Sequence, residues 1–133
     1  MENQWSLFDV VKALPGIAFG VFIIILSSIS IPKSIEPPQI DLFDINYMLH
    51  IIEFAVFGLL IFFGFSQKVK NKYIIIFLCF FALSDEIHQY FVPNRYFDVI
   101  DFFFDILGLL LGYLFYSFLL ILKKRGKKKL IGR

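Results

Sequence analysis

Four apolar runs, each about long enough to cross a bilayer, limit what this chain can become. Ala13 to Ile31 carries no charge over roughly the ~20 residues that a helix needs to cover the hydrocarbon core. Tyr47 to Ser66 is broken only by His50 and Glu53, and Tyr73 to Val92 holds Asp85, Glu86, His88 and Gln89 in its second half. Val99 to Leu122 has Asp101 and Asp105 in its opening turns and no charge afterwards. A chain of 133 residues that is 59% hydrophobic is too small to bury such runs in one water-soluble core. The sequence therefore predicts an all-α membrane protein, one domain over 1–133, with four transmembrane helices at 13–31, 47–66, 73–92 and 99–122.

The segments between the runs set the orientation. Pro32 to Asn46 combines Pro32, Pro37 and Pro38 with Lys33, Glu36, Asp41 and Asp44, a composition that belongs to a loop in water. Gln67 to Lys72 is a tight connection carrying Lys68, Lys70 and Lys72, Pro93 ends the third run, and 123–133 is a basic tail. The positive-inside rule puts both basic segments in the cytoplasm, so both termini are expected there and the Pro-rich and Pro93 to Asp98 loops outside. Pro15 is expected near the start of the first helix, where a missing backbone donor is tolerated, and Trp5 suits a membrane interface. Ser28 and Ser30 form a small-x-small pair ahead of Ile31, as in a signal peptide. The run is long for such a segment and its basic flank weak, so it is expected to stay attached. A basic tail directly after an apolar span reads as an anchor against anionic lipid and not as a nucleic-acid surface. The single cysteine, Cys79, excludes a disulfide framework or a thiolate metal site within one chain.

The polar residues of three runs converge in depth. At ~1.5 Å per helical residue, Glu53, Asp85 and Asp105 each lie roughly 9–10 Å in from the outer end of their helix. Asp98, Asp101, Asp105, Gly108 and Gly112 are spaced three, four, three and four, which makes one stripe along the fourth helix. The glycines allow close approach of another helix, within the chain or in a homodimer. His50 and Glu53 stack three apart, as do Asp85 and His88 with Gln89 beside them, whereas Glu86 is expected to point further round, toward the rim. An ionised side chain at this depth costs at least ~2.5–3.5 kcal/mol on insertion scales, so these groups must pair, bind an ion, stay protonated or line a wet cavity. A self-satisfied knot that merely orients the helices is the bland alternative. Carboxylates outnumber their cationic partners, which favours a pocket open to the outer face.

Three chemistries suit such a pocket. His50, Glu53, Asp85, His88 and Asp105 are candidate ligands for a divalent metal ion with an open, water-bearing position. Metal-free acid–base work is the second, with Asp85, His88, Asp101 and Asp105 as candidate catalytic groups. His50, Glu53, Glu86 and Gln89 would assist binding, and Arg95 at the mouth would hold a phosphate by its fork. The third is binding without chemistry. The Phe-rich helices read as lipid-facing and packing surface.

The run Asp85-Glu86-x-His88-Gln89-x-Phe91-Val92-Pro93-x-Arg95, then Asp101, Asp105 and Gly108, resembles the signature of the VanZ-like membrane proteins. His50 followed by Phe54, Phe57, Gly58 and Leu59 is similar to the family's earlier motif, and Ser27, Ser28 and Pro32 to the end of its first helix. Asn94 stands where glycine is usual, and Asn46-Tyr47 where Asp-Lys is frequent. The resemblance implies a multi-pass protein of the bacterial cytoplasmic membrane, linked to low-level resistance to teicoplanin-type glycopeptides. Its expected partners are membrane lipids, a lipid-linked cell-wall precursor or a lipoglycopeptide among them. The outer pocket would recognise, and in its enzymatic form modify or hydrolyse, a phosphate- or ester-bearing envelope lipid. The alternatives are a non-enzymatic protein that binds or shields lipid or drug, and an ion-coupled carrier, which the uncharged inner half disfavours.

Overall fold

The computed structural model describes residues 4–30 and 45–131. Those residues form four helices and no strand: α1 Leu7–Ser27, α2 Ile45–Phe65, α3 Asn71–Tyr90 and α4 Val99–Ile131. Three helical segments are long and apolar enough to cross a membrane, Leu7–Ser27, Ile45–Phe65 and Val99–Lys127. α3 is of similar length but ends in a polar half. Most of the expected Pro-rich loop lies at 31–44, outside the described residues, and Ile45 and Asn46 already belong to α2.

α1 starts six residues before the charge-free run because its charges are accommodated. Ser6 and Asp9 form a reciprocal capping box, which satisfies orphan donors of the first turn. Asp9 also pairs with Lys68 at 3.1 Å, and Lys12 Nζ lies 4.1 Å from the centre of the Phe8 ring. Pro15 consequently falls inside the helix and not near its start. α3 stops at Tyr90, two residues before the expected end, because Val92 precedes Pro93 and is biased away from helical backbone. The chain then turns through Asn94 at φ 63°, a left-handed conformation that glycine and asparagine tolerate best.

α2 is the central helix, packing chiefly against α4 on one side and α1 on the other, with α3 reaching all three. Gly108 and Gly112 make the α2–α4 contact: a Cβ on Gly108 would meet Ile51 O at 2.5 Å, and one on Gly112 would run into Ala55 O. The glycine stripe thus serves an internal contact. On α1 the buried residues Ala13, Gly16, Gly20, Ile23 and Ser27 form the matching stripe toward α2 and α3. Phe54, Phe57 and Phe62 are fully buried between the helices. Outward-facing apolar residues such as Ile17, Val21, Phe103, Leu110 and Phe118 remain about half exposed or more, the surface that a lipid solvent leaves uncovered.

Candidate functional site

At the α3–α4 end of the bundle, α2, α3 and α4 bring the polar residues together. His50 Nδ1 hydrogen-bonds Asp105 Oδ1 at 2.8 Å, and His50 Nε2 stands 3.9 Å from Asp101 Oδ2. Asp105 and Glu86 are both 0% exposed. His50, Glu86 and Asp105 each offer one ligand atom, and the three atoms lie within 4.8 Å of one another. The backbone N–H of Asp98, at the entry to α4, donates to Glu86 Oε2 at 3.1 Å. Glu86 therefore does not sit at the rim: it points into the bundle centre.

Asp85 occupies a separate position on the α1 side of α3. Ser27 Oγ donates to Asp85 Oδ2 at 2.9 Å and Gln89 Nε2 donates to the same oxygen, also at 2.9 Å. α3 therefore buries two adjacent acids in different directions, because it is covered by α1 on one side and by α2 and α4 on another. His88, expected to stack with Asp85, is exposed and lies 2.9 Å from Ser28 Oγ through Nε2. The expected Asp85/His88 ligand pair is not formed. Glu53 does not share the His50, Glu86 and Asp105 group, although its Oε1 is buried nearby in helical register with His50. Arg95 is half-buried, and its Nη1 donates to Ser27 O at 3.1 Å and Leu26 O at 3.4 Å. It thereby caps the last carbonyls of α1, where a cation also complements the helix dipole. Ser30 Oγ donates to Pro93 O at 2.7 Å and Asn94 Nδ2 donates to Ser30 Oγ at 3.2 Å, which fastens the α3–α4 loop to α1.

Among the described residues, four buried acceptor atoms at this end have no hydrogen-bond partner: Glu53 Oε1, Asp85 Oδ1, Glu86 Oε1 and Asp105 Oδ2. A knot built only to orient helices would close such atoms, since each one left unmade carries its full desolvation cost. On the side of Glu53 and Asp85, toward the α2–α3 turn, is an apolar cavity of about 370 Å³ shared by α1, α2 and α3. Its lining includes Ile24, Phe57 and Phe81, each about one helical turn from Ser27, Glu53 and Asp85 respectively. The family resemblance marks Ser27 at the end of the first helix, but its bond to Asp85 and the cavity were not read from the sequence; the small-residue stripe Ala13, Gly16, Gly20 and Ser27 is the signal that could have turned it inward.

A protein-family model described as VanZ/LLP1 matches residues 23–121, which contain all of these polar side chains. No curated protein and no solved structure matches the chain.

Proposed function

The chain belongs to the VanZ/LLP1 family, and from that premise we propose that it is a membrane protein whose polar end takes the headgroup of a phosphate- or ester-bearing envelope lipid. In this reading all four helices span the bacterial cytoplasmic membrane. The lysines of the α2–α3 turn and those after Leu122 lie in the cytoplasm, and the polar end faces outward. The polar half of α3 is tolerated at membrane depth because α1, α2 and α4 cover it.

The observation that carries the proposal is that two buried acceptors without a partner among the described residues, Glu53 Oε1 and Asp85 Oδ1, stand about one helical turn from the lining of an apolar cavity of about 370 Å³. Sites for small amphiphiles have this form, a mostly apolar concavity with a few convergent polar groups. The lipid's chain would enter between α1, α2 and α3, while its headgroup meets the polar end. Ser28, His88 and the N–H groups of Arg95 other than Nη1 form the shallow edge that an anionic headgroup reaches first. The His50–Asp105 pair is the deeper, reactive part: Asp105 fixes the imidazole, so that His50 Nε2 faces the remaining acids. In a hydrolysis, water adds to phosphorus or the acyl carbon, its proton passes to the pocket, and the leaving oxygen takes a proton back. Envelope lipids of this class connect the site with the glycopeptide resistance associated with the family, since cell-wall precursors present their headgroups at that depth.

Binding without chemistry is the second reading. It is favoured by His88, which is bonded to Ser28 at the surface instead of being set against Asp85. Lipid mass spectrometry on membranes from cells expressing the wild type or Asp105→Asn, both verified as inserted, separates the two. We expect an envelope lipid to be converted only by the wild type. Unchanged lipids with altered teicoplanin susceptibility would assign binding, and no difference in either would refute the proposal.

A further inference from the structure

The deepest group of side chains is built more like a coordination site than a hydrogen-bonded knot. His50 comes from α2, Glu86 from α3 and Asp105 from α4, and their three ligand atoms already lie within 4.8 Å of one another. A tetrahedral ion with ~2.1 Å bonds would separate its ligands by about 3.4 Å, so a small inward adjustment of side chains closes the site. Each residue is positioned through one atom. Glu86 is held through Oε2 by the Asp98 backbone N–H, Asp105 through Oδ1 by His50, and His50 through Nδ1 by Asp105. Glu86 Oε1 and Asp105 Oδ2 are buried and have no hydrogen-bond partner among the described residues. His50 Nε2 points away from Asp105, so an ion shared by His50 and Asp105 would sit at Nδ1, in the place of the proton that now joins Nδ1 to Asp105 Oδ1.

Charge points the same way. The carboxylates of Glu86 and Asp105 face one histidine, while the Nη1 of Arg95 is occupied by α1 carbonyls. A divalent cation would neutralise this excess at a depth where unpaired carboxylates are costly.

We propose that His50, Glu86 and Asp105 together bind one divalent transition-metal ion of the zinc or manganese type. One imidazole and two carboxylates form a mixed nitrogen–oxygen set that suits these ions better than calcium or magnesium, which favour all-oxygen shells. Three protein ligands leave a position for water, which the metal activates. Asp85, Glu53 and His88 stand outside this set. The inference rests on the reading of this end as the functional site, but its measurement does not depend on any lipid.

The test uses the full chain in detergent, purified by a tag other than polyhistidine, dialysed against Zn²⁺ or Mn²⁺ and assayed by plasma mass spectrometry. The wild type should retain one ion per chain, Glu86→Gln should bind at least about tenfold more weakly, and His88→Ala should bind as the wild type does. Glu86→Gln binding as tightly as wild type, or His88→Ala losing the ion equally, would overturn the assignment. Should Glu86→Gln fail to fold, the wild type decides: chelation should lower its Tm, and Zn²⁺ or Mn²⁺, but not Ca²⁺, should restore it. A Tm indifferent to all of these would also overturn it. Metal retention with no lipid conversion would remove the hydrolytic reading and leave the metal site standing, and conversion by a metal-free protein would do the reverse.

Discussion

At the end of the bundle where α2 turns into α3, Asp9 Oδ2 accepts from the backbone N–H and the hydroxyl of Ser6 and meets Lys68 at 3.1 Å. Lys68 also donates to Gln4 O, the Ser66 and Tyr116 hydroxyls touch, and Trp5 lies edge-on to Phe65. At the opposite end the carboxylates of Glu86 and Asp105 are more deeply buried, yet each keeps an oxygen without a partner among the described residues. The same residue types are thus closed off at one end and left with unmet capacity at the other. Unmet capacity in a buried carboxylate marks function more sharply than burial or charge does, because structure alone gives no reason to retain it.

The largest effect on the fold should come from the seam that joins the two ends. Gly112→Val would drive a side chain into Ala55 O and to 2.9 Å from Leu59 N on α2, both backbone atoms that cannot turn aside. We expect a loss of about 3 kcal/mol, the upper part of the usual range for overpacking, measured by unfolding in detergent. Unchanged stability would mean that α2 and α4 do not meet at this glycine, and the juxtaposition of His50 with Asp105 would lose its basis.

The comparison predicts opposite signs for apolar replacements at the two ends. Glu86→Met, measured in metal-free buffer, should leave stability unchanged or raise it by about 1 kcal/mol, because removing a buried carboxylate whose Oε1 has no partner among the described residues outweighs the loss of the Asp98 N–H bond to Oε2. The same change should abolish the function of the polar end. Lys68→Met should lower stability, because it strips Asp9 of its cation, and should leave lipid conversion and metal retention as they were. If both variants destabilised alike, the polar end would be as structural as the lysine end.

Helical phase made much of this readable in advance. Asp101, Asp105, Gly108 and Gly112 fall on one face of α4 at three- and four-residue spacing, and that face does meet α2. Glu86 escaped the same reasoning because phase ranks residues relative to one stripe, whereas α3 is covered on more than one side and buries both Asp85 and Glu86. The start of α1 was missed because a charge-free window excludes Asp9 and Lys12. Local capping, an ion pair and a ring contact keep both inside the helix. Arg95 reads in the sequence as a mouth residue, and only the tertiary fold shows that α1 ends beneath its guanidinium. The pairing of Ser27 with Asp85 spans 58 residues: the resemblance marks Ser27 and the small-residue stripe turns it inward, but neither names its partner.

The smallest effect tests whether the two ends are independent. In Ser6→Ala the hydroxyl that accepts from Asp9 N at 3.2 Å and donates to Asp9 Oδ2 at 2.7 Å is lost. The Ser6 backbone N–H still donates to Asp9 Oδ2 at 3.0 Å, and Lys68 still faces that oxygen, so half of the capping box survives. The loss should therefore fall at about 1 kcal/mol or below, within the range for removing an N-cap side chain, and thermal unfolding of the pair of proteins reads it. Lipid profile and metal content should match the wild type, because α1 reaches the polar end through Ser27 and the last carbonyls, some twenty residues from the cap. A Ser6→Ala protein that lost function as Asp105→Asn is expected to would show that closing one end is a condition for leaving the other unsatisfied, and the two ends would have to be treated as one coupled device.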